Sequence, residues 1–473
     1  MRSNFLTGLA EEVFRRVFSV ALVAVLMSAG MGKGWAEAEA LEPFRQDERV
    51  LILAPHPDDE AIACAGVIQQ AKKAGARIKI VYLTNGDNNE FAFMVYEKRP
   101  LFIKSEFIYM GKVRMREAIR AMKLLGLQEE QLIFLGYPDF GTYAIFSRYW
   151  QAKAAYKSML TRSSSVPYKA AFSFGAPYTG ESILSDLKKI ILDYKPERVF
   201  VSHPADTNGD HRALYLFTQI ALRDLRKQIP RPKVHPYLVH CPGWPKPRHY
   251  HPELDLEPPE SFKDAQISWS GVRLSPQELE RKHQAILSYF SQTRSSAFYL
   301  LSFARKQELF GDYPEITLER QASHQENALK FFGFSPILAR SQGKEAVCDD
   351  CLIEVWGKVS YAAAGDYLFI LIDKDKELLS RFSLIVDLFG YSDQAAFSAM
   401  PKIRIVAHHE KTRVYDGKRM IEPGGVRVYL SRDEVLLRIP LAVLGNPDFM
   451  LSSVRTYGGP KPAATGFRRI VLK

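Results

Sequence analysis

Between residues 48 and 240 short apolar runs alternate with longer stretches whose apolar positions recur at helical spacing. Arg49-Val-Leu-Ile-Leu-Ala54 reads as a first strand, Ala61 to Ala74 as a helix closed by Gly75, and Ile78-Lys-Ile-Val-Tyr-Leu83 as a second strand. Helices over Val113 to Leu125, stopped by Gly126, and Ser182 to Tyr194, stopped before Pro196, continue the alternation. Leu132 to Leu135 and Arg198 to Ser202 supply two more strands. The order β-α-β-α-β-α-β predicts an α/β fold with a doubly wound, mostly parallel sheet. Ligands of such sheets bind at the carboxyl ends of the strands, so the residues after Ala54, Leu83, Leu135 and Ser202 should face one site.

Beyond residue 240 the pattern changes twice. Residues 241 to 262 are rich in Pro, His and Trp and show neither period, which predicts a structured loop or cover. A helix near Ser275 to Tyr289 follows, and Glu308 to Gln342 reads as helix-like segments and then a polar linker. From Ala346 onward the chain turns to short alternating strands: Ile353 to Val359, Tyr367 to Asp373, Phe382 to Leu388, Ile403 to Ala407, Gly425 to Leu430 and Glu434 to Ile439. Their spacing predicts an antiparallel β-sandwich. The expected organisation is a targeting segment over 1–40, a Rossmann-like domain over 41–335 and the sandwich over 346–473.

Length and composition agree with more than one core, since 473 residues at 47% hydrophobic exceed what a single core usually organises. Lys and Arg outnumber Asp and Glu by 64 to 53, but the excess is scattered, which argues against a nucleic-acid partner. Arg15-Arg16 followed by the apolar run Val17 to Met27 and the small residues Ala36, Ala38 and Ala40 has the form of an export signal. The run is short for a span of about 20 residues, so the expected location is periplasmic or extracellular, with only transient membrane contact. In that compartment Cys348 and Cys351 could close a small disulfide loop, while Cys64 and Cys241 read as lone buried thiols.

The chemistry is concentrated where the first strand ends. His56 and Asp59, three positions apart on a tight turn, can grip one divalent ion, and Asp58 between them points past it toward a water. A catalytic site needs a third ligand and an open position. The second dense His/Asp segment, His203 to His211 after the fourth strand, offers His211 for that purpose.

Ala54-Pro-His-Pro-Asp-Asp-Glu60 resembles the signature of the PIG-L/LmbE-like family of zinc-dependent N-acetylglucosaminyl deacetylases. Arg114 to Glu117, Leu135-Gly-Tyr-Pro-Asp139, Asp206 to His211, Lys282 to Ile286 and Tyr289 to Gln292 resemble it too, over about residues 48 to 310. The resemblance implies that His56, Asp59 and His211 bind Zn²⁺, with Fe²⁺ also suited to these ligands, and that Asp58 is the general base. It further implies that Arg114 and Asp139 face the sugar. Many relatives carry His-Pro-Asp-His where this chain has Asn208-Gly-Asp-His211, so Asn208 is expected to meet substrate as a neutral amide donor, with His203 as an alternative helper.

The reaction so implied is release of an N-acetyl group from an amino sugar in a glycan or glycolipid. The missing motif histidine also admits a catalytically impaired, carbohydrate-binding protein that retains its metal site. The second domain loosely resembles DOMON-like and carbohydrate-binding modules, with Trp356, Tyr361, Tyr367 and Tyr391 as candidate stacking aromatics.

Overall fold

The computed structural model describes residues 38–88, 104–262, 265–319, 347–348, 356–374, 383–408, 411–430, 434–457 and 465–473. The expected export signal, the linker and Cys351 lie outside these residues. Cys64 and Cys241 are free and buried.

After a short strand β1 (Glu39–Ala40), strands β2 (Arg49–Ala54), β3 (Arg77–Thr84), β4 (Leu132–Tyr137), β5 (Arg198–Ser202) and β6 (Lys233–Tyr237) form one sheet in the order β4-β3-β2-β5-β6. Every pairing in it is parallel. Its central strands are β-branched and aliphatic because they are covered on both faces, and β2 and β5 are buried along nearly their whole length. Helices α1 (Asp59–Lys73), α2 (Lys104–Leu124), α3 (Thr142–Arg148), α4 (Gly180–Tyr194) and α5 (Gly209–Leu225) connect and cover it. The strand order reverses between β2 and β5, so a crevice opens at their carboxyl ends.

Helices α6 (Pro276–Leu287) and α7 (Phe290–Leu300) brace this domain. Ser275 and Glu278 form a reciprocal cap at the start of α6, with Pro276 in its first turn. The fully buried Lys282 of α6 places Nζ 2.8 Å from Glu308 Oε1, and Glu308 also accepts the Gly66 and Val67 N–H groups of α1. Ser291 of α7 donates N–H and O–H to the buried Glu117 of α2. The late family-like segment is thus a brace on α1 and α2.

Residues 308 to 318 depart from expectation. They form strands β8 (Gln307–Asp312) and β9 (Ile316–Leu318), and β8 joins β7 (Ser268–Arg273) and β1 in a small sheet. The partner of β8 lies far back in the chain, and that long-range pairing overrides a local pattern that had suggested helix.

Two antiparallel sheets follow. One orders β10 (Val347–Cys348), β11 (Trp356–Ala364), β12 (Tyr367–Lys374), β18 (Glu434–Pro440) and β17 (Arg427–Leu430) as β10-β11-β12-β18-β17. The other runs β16 (Arg419–Ile421), β15 (Lys411–Asp416), β14 (Lys402–His408), β13 (Ser383–Tyr391), β19 (Phe449–Tyr457) and β20 (Arg468–Leu472), and ends on β9. Ile370, Ile372 and Leu437 of the first share one apolar core with Val386, Ile405 and Ile470 of the second.

The larger sheet lies against α3 and α5. Phe146 packs edge-on to Phe389 at 5.1 Å, Trp150 to Phe397 at 4.9 Å, and Phe467 donates its N–H to Pro204 O. At the centre the buried Asp387 accepts Tyr143 Oη at 3.0 Å, Arg404 Nε at 2.8 Å and Arg455 Nε at 3.1 Å.

The brace behind α1 is testable. Glu308→Gln strands a buried ammonium and is expected to cost about 3–5 kcal/mol in denaturant unfolding, whereas adding Lys282→Met should recover part of that loss.

Candidate metal centre and active site

The chain leaves β2 through Ala54-Pro55, and the polar residues that follow, His56, Asp58, Asp59 and Glu60, are all buried. His56 donates its N–H to Asp59 Oδ2 at 2.9 Å, which curls the turn and brings the Nδ1 edge of the ring to 3.2 Å from the same oxygen. His211, in the first turn of α5, places Nε2 3.2 Å from Asp59 Oδ2. The three expected ligands therefore converge, with one donor atom each inside 4.8 Å of the others.

Behind each imidazole stands a carboxylate. His56 Nε2 lies 3.1 Å from Asp139 Oδ1 and 3.3 Å from Asp210 Oδ2. His211 Nδ1 lies 3.0 Å from Asp206 Oδ2, which also accepts the Val239 and His240 N–H groups. A metal-binding histidine that turns one nitrogen to the ion and the other to a carboxylate has its orientation and basicity fixed in this way. Burial works against charge on His211, but Asp206 and Asp59 outweigh it and raise the imidazole to about 9. Asp139 is held down to about 2: burial pushes up, and His56 and Arg114 pull further down. The donor set, all buried nitrogen and oxygen, fits a divalent ion.

Asp58 sits at the start of α1 with φ 131°, a conformation that L residues rarely adopt. Three contacts hold it there. Its N–H donates to Glu60 Oε2, and Arg114 Nη2 donates both to Pro57 O at 2.7 Å and to Asp58 Oδ2 at 3.2 Å. Glu60 is itself fixed by the Tyr289 hydroxyl. Burial pushes the Asp58 carboxyl up to about 7, against the pull of Arg114.

Three expected substrate residues have different surroundings from those implied. Arg114 is 3% exposed, and its guanidinium binds Pro57 O, Asp58 and Gly86 O, so it reaches the site through Asp58. Gly86 has φ 65°, and any side chain there would overlap this guanidinium. Asp139 backs His56, with Oδ2 taken by the Asn88 N–H. Asn208 caps α5: its side-chain oxygen accepts the Asp210 N–H at 2.8 Å, which leaves only its NH₂ to donate elsewhere.

His203, the alternative helper, is packed between Trp269, Phe262 and Tyr313. Its Nδ1 accepts the Ala205 N–H, and burial pulls the ring down to about 3, so it is a neutral structural histidine. Of the aromatics expected to stack on sugar, Tyr361 is buried against Ser452, and Tyr391 is buried with its hydroxyl on Asp224. Both are packing residues. Tyr367 is half-buried beneath Arg438, and the Trp356 side chain lies outside the described residues.

Asp210, Asp87 and His240 went unassigned in the sequence. Asp210 stood inside the His/Asp segment that supplied His211, which was signal enough to find it. Asp87 follows β3, where it accepts Tyr168 Oη at 2.5 Å and burial lifts it to about 7. His240 follows β6, a strand that Pro236 concealed, and its ring lies 4.6 Å from that of His211.

The fold and the donor set thus define a doubly wound α/β domain with a buried two-histidine, one-aspartate site at its switch point. Residues 51–222 match the family described as PIG-L, GlcNAc-PI de-N-acetylase, and the chain carries that domain from β2 through most of α5. A glucosamine-6-phosphate deaminase-like protein of Bacteroides thetaiotaomicron is 23% identical over 286 residues, which are 55% of this chain. The chain spans only 38% of that relative's length. Similar solved structures include the N,N'-diacetylchitobiose deacetylase of Pyrococcus horikoshii, 19% identical, with a TM-score of 0.30 over 52% of this chain and 70% of that one. A deacetylase of the teicoplanin biosynthesis pathway is 16% identical, with a TM-score of 0.33 over 54% and 90% of the two chains. The 4-carboxy-2-hydroxymuconate hydratase of Pseudomonas putida is 15% identical, with a TM-score of 0.33 over 57% and 98%.

Because the donors are buried and organised by folding, ion binding should stabilise the native chain. Zn²⁺ at about a thousand times its Kd is expected to add about 4 kcal/mol, read as a raised unfolding midpoint. His211→Ala should abolish that rise.

Proposed function

We propose that this chain is a hydrolase that removes an acyl group, acetyl foremost, from the nitrogen of an amino sugar in a glycan or glycolipid. Zn²⁺ is the proposed cofactor, with Fe²⁺ as the alternative, held by His56, Asp59 and His211. The observation that carries the reading is the juxtaposition of this buried donor set with Asp58, a strained and arginine-held carboxyl beside it. The match of residues 51–222 to a de-N-acetylase family supports the same reaction class.

An ion held by His56, Asp59 and His211 would supply a Lewis acid for the acyl oxygen and would acidify a water molecule. Asp58, raised to about 7 by burial, is suited both to accept a proton from that water and to return it to the departing nitrogen. Arg114 and Glu60 keep its carboxyl in place through the contacts to Pro57, Asp58 Oδ2 and the Asp58 N–H. Asp139, Asp210 and Asp206 hold the two imidazoles by their far nitrogens. Asn208 contributes a neutral N–H donor where many relatives have histidine, so Asp58 carries the proton transfers alone.

Export to the periplasm or extracellular space belongs to the same proposal and rests on Arg15-Arg16 and the apolar run after them. The competing reading, a carbohydrate-binding protein without turnover, is favoured by the presence of Asn208 where many relatives have histidine, since an amide can donate a hydrogen bond but can neither carry a positive charge nor deliver a proton.

Acetate release from a panel of N-acetyl chito-oligosaccharides and GlcNAc lipids decides between them. Turnover is expected, and Asp58→Asn should lower it by about 10²- to 10⁴-fold while metal analysis finds the same ion content. An Asp58→Asn protein that keeps full activity would remove the base assignment.

A further inference from the structure

Two of the residues expected to meet the sugar are engaged elsewhere: Arg114 clamps Asp58, and Asp139 is taken by His56 and the Asn88 N–H. Asn208, its side-chain oxygen spent on the cap of α5, has only N–H groups left to offer. A sugar hydroxyl donates as well as accepts, so the site also needs a free acceptor. One stands against the donor cluster. His240 follows β6, its ring lies 4.6 Å from that of His211, and a ring nitrogen of each lies within 4.8 Å of the other and of an Asp206 oxygen.

The backbone of His240 is pinned on both sides. Its N–H donates to Asp206 Oδ2 at 2.9 Å, and its carbonyl accepts the Thr207 N–H at 3.0 Å and Thr207 Oγ1 at 3.2 Å, so it is tied to the loop that leads into α5. The ring is fixed as well. Tyr299 stacks on it at 6.0 Å and 28°, with Tyr299 Oη 3.3 Å from Nδ1. That hydroxyl donates its own proton to Val239 O at 2.6 Å, so toward the imidazole it can only accept, which assigns the ring proton of neutral His240 to Nδ1. Nε2 is then a lone-pair acceptor. It has no partner among the described residues, and the side chain is only half-buried, beside a His211 that is fully buried. In this tautomer Nε2 has no proton to give, so His240 does not take over the task of the histidine that position 208 lacks.

We propose that His240 selects the substrate by accepting, at Nε2, the hydroxyl next to the reacting nitrogen, the C3 O–H of an amino sugar whose acyl group lies at the His56, Asp59 and His211 centre. The inference rests on the amino-sugar reading given above. The nitrogen that gives up the acyl group stands on C2. Of the two neighbouring carbons, C1 in a glycan carries a bridging oxygen with no proton, whereas C3 carries a hydroxyl. An imidazole in contact with a ligand of the ion reaches a group beside the reacting atom, not one across the sugar ring. A sugar alkylated at O3 lacks the proton and adds bulk where the acceptor stands, so the ligand class is N-acyl amino sugars with a free C3 hydroxyl.

The test uses the full-length, Zn²⁺-loaded chain carrying Asp58→Asn, so that ligand is not consumed, at pH 8, above the ordinary range of an imidazole. Calorimetric titration compares GlcNAc with its 3-deoxy, 4-deoxy and 6-deoxy analogues. The parent is expected to bind GlcNAc about fivefold or more tighter than 3-deoxy-GlcNAc. His240→Ala, and His240→Phe, which keeps a ring against His211 and Tyr299, should bring that ratio to about one while leaving the 4-deoxy and 6-deoxy ratios unchanged. His240→Gln, which retains an acceptor, should restore part of it, and Tyr299→Phe, which frees the tautomer, should reduce it. Ion content and circular dichroism should match the parent in every variant. Equal binding of GlcNAc and 3-deoxy-GlcNAc by the parent overturns the assignment, as does a preference that survives in His240→Phe, or a loss of ion in that variant, which would make His240 a metal ligand. Absence of GlcNAc binding overturns it together with the amino-sugar reading. A C3 preference that His240 controls, in a chain whose Asp58 form releases no acetate, upholds the acceptor and removes the hydrolase reading instead.

Discussion

The carboxylate of Asp210 is the contact on which the site's architecture turns. It stands in the first turn of α5, faces His56 Nε2 with one oxygen, and with both oxygens gathers the backbone and hydroxyl donors that begin α3. One buried group therefore joins the loop after β2, the loop after β4 and the helix after β5, three segments that the sheet brings together only at its carboxyl edge. Leaving those donors unmet in a buried setting would cost far more than any one of the bonds returns. The geometry of the centre is accordingly a property of the sheet order as much as of the residues in it.

The antiparallel sheets enter through the same corner. Tyr143 and Phe146, on the helix whose first turn Asp210 holds, are the residues that Asp387 and Phe389 engage. Asp387 is fully buried, with two arginines and a tyrosine satisfying its oxygens, a network that is stable only when complete. The larger antiparallel sheet is thus packed into the rear of the site's scaffold, and α3 cannot move without disturbing both that sheet and the donor cluster.

Much of this was legible in the sequence. The strands at Arg49–Ala54 and Arg198–Ser202 could be read residue for residue, because strands covered on both faces are apolar throughout and end in turn residues. The convergence of His56, Asp59 and His211 followed from where those strands end. What escaped had a common cause. β6 carries a proline and a histidine, and β8 owes its conformation to a partner about 35 residues back, so neither shows a period of its own. Roles that depend on which way a side chain turns were equally out of reach. Arg114 has the composition of a substrate contact and the geometry of a clamp on Asp58, while the side-chain oxygen of Asn208 caps α5, a contact no spacing announces.

The pairing of β9 with β20 bears on how such a chain comes to be folded. Ile316 lies beside Ile470, so an edge strand that directly follows the first domain waits for a partner about 150 residues further on. Contacts that distant close late, because the loop entropy must be met before the pairing returns anything. Until the distal strand arrives, β9 presents open hydrogen-bonding groups, which is the situation that invites pairing with another chain. A nascent copy is therefore most exposed to misassembly in the interval between completion of the α/β domain and arrival of the last strands.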